Sequence, residues 1–412
     1  MDKNNNIINH KIIGKNLNLF IFNNNIGKGL PLWLPNGLYI YNKIKKIIKI
    51  INLKNNYKEV LTPHIVKNKL FKISGHLDKY YNNIFKLYNK KYCIKPMNCP
   101  SHCIIFKNYK NLSYKKLPKR LFEFGTVYRK EKSGELNGLF RTINFTQDDG
   151  HILCLKKNIY KEIYKIIKNI IFIYKFFNFN KIYIRFSLSN KSNKKKINNK
   201  YIGKIKNWKK SEKIILNIKK KINFKYKTYI KYNDAAFYGP KIDFIIKDSL
   251  KRKWQLGTIQ IDYNTPINFN LKYINKYNKY KYPIIIHRAY IGSIERFIGI
   301  LLEHTRGNLP IWLLKIQLII IPINNNNLKY SYYILNILKK KNIKIKIDKK
   351  KKNLNEKIKK YERLHIPYIF IIGDKEVKNN SIFIRSFKKG KIGNFSKRNA
   401  IKYIIKKIKF NL

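Results

Sequence analysis

The nine residues from Lys95 to Cys103 read Lys-Pro-Met-Asn-Cys-Pro-Ser-His-Cys, and they collect side chains the chain otherwise rarely uses. Met97 is the only methionine besides the initiator, Cys99 and Cys103 are two of four cysteines, and His102 is one of eight histidines. Either chance put these rare types together or chemistry kept them there. A second group combines positive charge with an aromatic face. Arg129 and Arg141 bracket the loop Lys-Glu-Lys-Ser-Gly-Glu-Leu-Asn-Gly-Leu-Phe, and Phe145 follows closely. A guanidinium grips phosphate through two parallel bonds and a ring stacks on a base, so such a hairpin is one way to hold ATP. Arg296, at the start of an apolar helix, could take another phosphate. Neither GxxxxGK[ST] nor GxGxxG occurs, which excludes P-loop and Rossmann sites.

These residues stand out because of their background. The chain has 412 residues and a formal charge of +70. A polyanion partner would explain the charge, since lysines neutralise phosphates. A mutational origin explains it better: Lys, Asn, Ile, Tyr and Phe can all be encoded with A and T alone, and lysines are spread along the whole chain. Segments of ordinary composition then appear as islands. They are Gly29–Gly37, Lys95–Cys103, Phe122–Ile152, Ala235–Phe244, Trp254–Tyr263, Ile286–His304 and, more weakly, His365–Val377. Of eleven arginines, Arg129, Arg141, Arg288 and Arg296 fall inside islands. Hydrophobic residues make up 44% of the chain, enough for a packed core rather than a disordered polymer. No apolar run approaches the roughly 20 residues of a membrane span. The first residues lack the apolar stretch and cleavage site of a signal peptide. Four scattered cysteines make no disulfide framework, so a reducing cytoplasm is expected.

The islands need scaffolding. Leu38–Ile51 has helical spacing, and Tyr57–Ile65 alternates as a strand punctuated by Pro63. Glu123–Arg129 and Arg141–Phe145 read as a strand pair, Tyr160–Phe176 as a helix, and Ile182–Leu188, Lys241–Ile246 and Gln255–Tyr263 as strands. The segment 189–200 reads as a polar loop. Gly292–His304 is an amphipathic helix, and a boundary follows at Leu309-Pro310. Beyond it, strands at Trp312–Ile323, Ile343–Asp348, Ile366–Val377 and Ser381–Phe387 alternate with helices at Tyr330–Lys341, Leu354–Leu364 and Ala400–Ile408. Such alternation indicates a compact α/β domain of about a hundred residues.

With the motifs in place, the chain resembles the bacterial-type threonyl-tRNA synthetases, a family of class II aminoacyl-tRNA synthetases. "VLTP" with its preceding helix resembles motif 1, "FGTVYRKE…GLFRTINFTQDD" motif 2 and "GSIERFIGILLEH" motif 3. "CIKPMNCPSH", "FTQDDGH", "FYGPKIDF" and "IHRA" resemble signatures of the threonine enzyme. The match runs from about Gly27 to the C-terminus. It implies an α/β (α+β) fold: a class II antiparallel β-sheet catalytic domain flanked by helices at 27–310, a C-terminal α/β anticodon-binding domain at 311–412, and an N-terminal extension at 1–26.

The resemblance also implies roles. Cys99, His151 and His287 correspond to ligands of a catalytic-site Zn²⁺, one per subunit, with His102 and Cys103 merely flanking. Arg129 corresponds to a group on the α-phosphate of ATP and Arg296 to one on the γ-phosphate. Glu131 and Phe145 fall at adenine with Arg141 assisting, and Gln255 and Thr258 also belong to the ATP site. Met97, Gln147, Asp149, Tyr238, Gln260 and Lys241 line the threonine and adenylate pocket, Lys241 as a catalytic group. His76 corresponds to a histidine near the terminal ribose of the tRNA. Glu376 and Arg385 match anticodon-contacting positions, while Lys351 stands where an Asn is expected. Ser101 and Gly150 replace the usual Gly and Ala.

The implied activity is ligation of L-threonine to tRNA(Thr) through threonyl-adenylate, with Mg²⁺ accompanying ATP. A catalytically inactive, RNA-binding relative is the alternative, and retention of both the ATP and zinc sets argues against it. The implied protein is a cytoplasmic homodimer with no membrane association. Because motif 1 starts within a few dozen residues of Met1, an editing domain for serine is not expected.

Overall fold

The computed structural model describes residues 9–88, 91–190, 201–222, 226–248 and 250–408. The chain forms two compact units. One comprises Phe22–Pro31 and Ile44–Ile300, the other Met1–Ile21, Leu32–Lys43 and Leu301–Leu412.

The first unit is organised by an eight-stranded sheet. Its strands are β1 (Lys58–Glu59), β2 (Lys119–Tyr128), β3 (Asn144–Cys154), β4 (Ile182–Ser187), β5 (Lys227–Lys231), β6 (Lys241–Lys247), β7 (Lys253–Asp262) and β8 (Ile284–Ser293). Their order is β1-β2-β3-β8-β7-β6-β4-β5. Only the outer pairs β1–β2 and β4–β5 are parallel. Three helices of this unit are α2 (Cys99–Lys107), α3 (Ile159–Phe176) and α4 (Ile205–Ile222). Two more, α1 (Pro35–Lys54) and α5 (Ile294–Thr305), each have residues in both units.

Helix α3 forms because isoleucines recur every three or four residues. Ile159, Ile163, Ile166, Ile170 and Tyr174 are buried while the intervening lysines face solvent. Each such isoleucine contributes roughly 1.5–3 kcal/mol of transfer free energy. The same pattern builds α4 from Trp208, Ile214, Ile215, Ile218 and Ile222; our reading of the sequence did not assign this helix. Residues 191–200 of the expected polar loop lie outside the described residues.

In this unit two expected strands differ from the observed ones. The run Tyr57–Ile65 pairs only at β1, and Ile65–Lys67 joins a separate two-stranded sheet. It breaks at Thr62-Pro63 because the Thr62 N–H is taken by the Glu123 carboxylate, at 2.9 Å, rather than by a neighbouring strand. Strand β3 starts at Asn144 rather than Arg141. Ile143 N–H donates to Gly29 O at 2.9 Å, and Ile143 O accepts from Arg129 N–H at 2.8 Å.

The second unit has a five-stranded sheet of β9 (Leu318–Pro322), β10 (Ile345–Ile347), β11 (Tyr368–Ile372), β12 (Ser381–Ser386) and β13 (Gly390–Ser396), in the order β10-β9-β11-β12-β13. The first three are parallel. Every residue of β9 and β11 is buried, as continuous apolar strands of a doubly covered sheet should be. Ile320, Phe370 and Ile384 join one core cluster, with Ile334 and Ile404 from helices α6 (Leu328–Lys340) and α9 (Lys397–Ile408). Ile319, Ile369 and Ile371 join another, with Tyr361 from α7 (Leu354–Arg363). The strand expected over Trp312–Ile323 is confined to β9, and the one expected over Ile366–Val377 ends at Ile372 and is followed by a short helix, α8 (Asp374–Lys378); β13 was not anticipated. His10 is buried in this unit, its Nδ1 2.7 Å from Glu303 Oε1.

Candidate active site

The site is laid out by strand register. His151 on β3 lies opposite His287 on β8, His287 opposite Gln260 on β7, and Gln260 opposite Lys241 on β6. Residues opposite one another point to the same face, so these four form one row. Two residues along, Glu123, Asp149, Ala289, Thr258 and Asp243 form the next row on that face. The alternate residues Asp148 and Arg288 point the other way. There Arg288 Nη1 donates to Asp148 O at 2.7 Å, and Nη2 is hydrogen-bonded to Asn52. A Cβ at Gly150 would run into the Arg288 guanidinium, so glycine here makes room for that buried group.

Cys99 reaches the first row from the start of α2, where Pro100 sits in the first turn and forfeits no helical bond. Asn98, which precedes the helix, caps nothing with its side chain; it donates instead to Asp149 Oδ2 at 3.1 Å. Gly125 permits this, since a Cβ there would meet the Asn98 amide. As a result Cys99, His151 and His287, all buried, bring one sulfur and two nitrogens within 4.8 Å of one another. One nitrogen of each imidazole has a close polar partner. His151 Nδ1 is 2.9 Å from His102 Nδ1, and His287 Nε2 is 3.0 Å from Asp262 Oδ2. Burial pushes the Cys99 thiol well up, and neighbouring Cys103 adds to the shift. Burial, then the nearby His102 and His287, holds His151 far below the usual imidazole range. A thiol held protonated and a histidine held neutral in one pocket are what a divalent cation would reverse and use, respectively. The donor set, its closure and its outer hydrogen bonds fit zinc, with a fourth position left for a substrate atom.

Beside this trio lies a cleft of about 370 Å³. Met97, Arg129, Glu131, Arg141, Phe145, Gln147, Tyr238, Gln255, Thr258, Gln260 and Arg296 all line it, together with Tyr80, Phe140, Ile291, Gly292 and Ser293. Tyr238 connects the two parts: its hydroxyl donates to Gln260, and its ring centroid is 4.9 Å from that of His287. Three guanidiniums share the cleft. Burial lowers the proton affinity of Arg296, and the charges of Arg141 and Arg129 lower it further. Mutual repulsion of that kind is relieved by a polyanion. Arg296 Nε donates to Phe140 O at 2.8 Å, which fixes the fork. Arg129 lies 5.0 Å over the Phe145 ring, and Arg141 is held by Glu131 at 2.7 Å and Glu135 at 3.1 Å.

The remaining expected residues of the first unit lie outside the cleft lining or behind it. Asp149 Oδ1 is 3.8 Å from His151 Nε2. Lys241 does not line the cleft; its ammonium is 3.1 Å from Asp243 and 3.3 Å from Asp234. His76 is buried behind Tyr238 and Phe237, with Nδ1 2.8 Å from Ser74 Oγ. Burial, then the His287 charge, pushes His76 down to about 3. In the second unit, Glu376 accepts from Gly373 N–H at 2.9 Å, Arg385 donates to Glu362 at 2.8 Å, and Lys351 is exposed.

Sequence reasoning missed the groups behind the site. Asp243 accepts from Arg185, Gln255 and Thr258 at 2.8, 2.8 and 3.0 Å, fixing two cleft residues at once. His102 does more than flank: it is fully buried against His151. Its place in the Lys95–Cys103 island was the available signal.

Residues 84–305 match the tRNA synthetase class II core domain (G, H, P, S and T), and residues 317–407 match an anticodon binding domain. With these matches and this antiparallel sheet, the chain is a member of the class II aminoacyl-tRNA synthetases. It is 43% identical over 389 residues to the threonine–tRNA ligase of Azobacteroides pseudotrichonymphae genomovar. CFP2, covering 93% of this chain and 59% of that protein. A threonine–tRNA ligase of Porphyromonas gingivalis is 41% identical, with 93% and 58% covered. The chain therefore spans less than two thirds of the length of these curated relatives. The RNA binding domain of threonyl-tRNA synthetase from Cryptosporidium parvum Iowa II superposes with a TM-score of 0.86 at 35% identity, covering 97% of this chain and 98% of that one. Within the class, the chain belongs to the threonyl-tRNA synthetase family. Prolyl-tRNA synthetase from Cryptosporidium parvum, at 14% identity and a TM-score of 0.74, shares the fold.

Proposed function

We propose that this chain is a threonine–tRNA ligase. The threonine carboxylate attacks the α-phosphate of ATP, pyrophosphate leaves, and the 3′ hydroxyl end of tRNA(Thr) then takes the threonyl group from the adenylate with release of AMP. The chain supplies positioning and charge stabilisation rather than a covalent nucleophile. Arg129 acts on the α-phosphate and Arg296 on the γ-phosphate, with Mg²⁺ accompanying the nucleotide. Phe145, Glu131, Arg141, Gln255 and Thr258 hold the adenosine side. Met97, Gln147, Asp149, Tyr238, Gln260 and Lys241 hold the amino acid and adenylate. His76 serves the transfer step at the tRNA terminus. Cys99, His151 and His287 would hold zinc, which would supply Lewis-acid coordination for the substrate amino and hydroxyl groups; valine has no hydroxyl to offer it.

The convergence of Cys99, His151 and His287 beside a cleft with three guanidiniums carries this reading. Residues 27–310 act as the activation domain. Residues 311–412 read the anticodon through Glu376 and Arg385. Exposed Leu53, Leu61 and Ile65 support a homodimer built on the segment around motif 1. Four free, buried cysteines suit the cytoplasm, and no helix among the described residues is long and apolar enough to cross a membrane. Threonine-dependent exchange of pyrophosphate into ATP, followed by charging of a tRNA(Thr) transcript, tests the proposal. Absence of both activities from zinc-loaded protein defeats it in favour of an inactive RNA-binding relative.

A further inference from the structure

Behind the metal trio lies a chain of polar groups that the proposed chemistry does not use. Lys95, Glu123 and His102 are each no more than 1% exposed, and Thr62 is 3% exposed. Glu123 Oε2 accepts from Thr62 N–H at 2.9 Å, and Oε1 accepts from Thr62 Oγ1 at 2.8 Å. Lys95 Nζ donates to Thr62 O at 3.1 Å and Oγ1 at 2.8 Å, and lies 3.4 Å from Glu123 Oε1. On the far side, His102 Nε2 is 3.6 Å from the same Oε1, too long for a hydrogen bond but close for a charge facing an N–H. His102 Nδ1 then meets His151 Nδ1 at 2.9 Å, the two rings being nearly perpendicular.

A buried ion pair of this kind gives little stability over apolar packing of the same volume. Its geometry has a different use. Only one proton fits between the two Nδ1 atoms. If His102 supplies it, His151 keeps its own proton on Nε2 and has no lone pair there for a metal. If His151 supplies it, Nε2 is free, and the proton of His102 must sit on Nε2, facing Glu123. A carboxylate held by Thr62 and Lys95 attracts an N–H and repels a lone pair, so it selects the second arrangement.

We propose that Lys95, Glu123 and His102 are positioning residues that fix the His151 tautomer with Nε2 available to zinc, anchored at Thr62. The inference rests on reading Cys99, His151 and His287 as a zinc set. Outer partners of this type typically change metal affinity by about 10–100-fold.

The test is zinc competition against a chromogenic chelator, using the full chain. Glu123→Gln and His102→Phe should each weaken zinc binding by about 10–100-fold. His102→Gln, whose side-chain carbonyl can accept the His151 proton, should stay within a few-fold of wild type. In parallel, nitrogen NMR of the zinc-free wild-type protein should show His151 protonated at Nδ1. This reading does not depend on any variant folding. Wild-type affinity in both Glu123→Gln and His102→Phe, or a His151 proton on Nε2, overturns the relay. Failure of the wild-type protein itself to bind zinc overturns the metal reading on which the relay stands.

Discussion

His151 and His287 face each other directly across β3 and β8, their ring centroids 4.9 Å apart and their planes at 86°. Register alone brings them together from positions far apart in sequence, and Cys99 closes the set from α2. Purified protein should therefore carry about one zinc per chain, as a three-ligand site implies. Cys99→Ser should lose the metal and threonine activation together. Normal pyrophosphate exchange by a zinc-free Cys99→Ser protein would show that the trio has another purpose.

Arg296 combines a fixed fork with a burial-lowered proton affinity and two like-charged neighbours. Arg296→Ala should lower threonine-dependent pyrophosphate exchange by about 10²–10³-fold, the usual range for a charge-stabilising donor. Zinc content and melting temperature should change little. Exchange at the wild-type rate would remove Arg296 from the nucleotide site.

His76 is held neutral down to about pH 3, whereas its ordinary value is 6.5. Between these values the unfolded chain binds a proton that the folded chain refuses. Stability should therefore fall as pH drops from about 6.5 toward 3. Replacement by Asn should flatten part of that slope in denaturant titrations at pH 7 and pH 5. His76→Asn should also slow transfer to tRNA more than adenylate formation. A His76 ring signal that titrates near neutrality would contradict both expectations.

At the proposed zinc site serine would offer the same amino and hydroxyl groups as threonine, lacking only a methyl. One methyl is worth about 1–3 kcal/mol, or 10–200-fold, in a binding pocket. The 412-residue chain on its own should charge tRNA(Thr) with serine, and the product should persist when fresh protein is added. Rapid, enzyme-dependent loss of seryl-tRNA would reveal a correcting activity.

Leu61 is 85% exposed beside the buried Thr62, and Leu53 and Ile65 are also open to solvent. Sedimentation at micromolar concentration should give a dimer, and Leu61→Asp should shift it toward monomer. A fully active wild-type monomer would rule out the proposed assembly.

The strongly periodic elements were legible in sequence. Isoleucines at helical spacing marked α3, and unbroken apolar runs marked β9 and β11. The cleft was legible through resemblance: Arg129, Phe145 and Arg296 do share one cavity. Spacing could not reveal the trio, because cross-strand register depends on the whole sheet. Nor could periodicity show that Thr62 spends its N–H on a carboxylate 61 positions away. Lys241 and Arg385 each have a carboxylate partner within their own unit, Asp243 and Glu362. Local pattern carries no information about such distant partners.

Arginine is used sparingly in a chain where Lys and Arg together number 91. Where it occurs, it commonly holds two acceptors at once or holds one from two sides. Arg120 grips both oxygens of Glu162 at 2.8 and 2.7 Å, and Arg185 spans Asp243 and Gln255. Arg288 bridges Asp148 and Asn52. An ammonium group would preserve the charge at these places but not the angle between the bonds. Positive charge is abundant here, and direction is scarce. Arg120→Lys would leave the net charge untouched and still loosen α3 from β2, whereas the same exchange at a solvated lysine, read in reverse, would leave the fold indifferent.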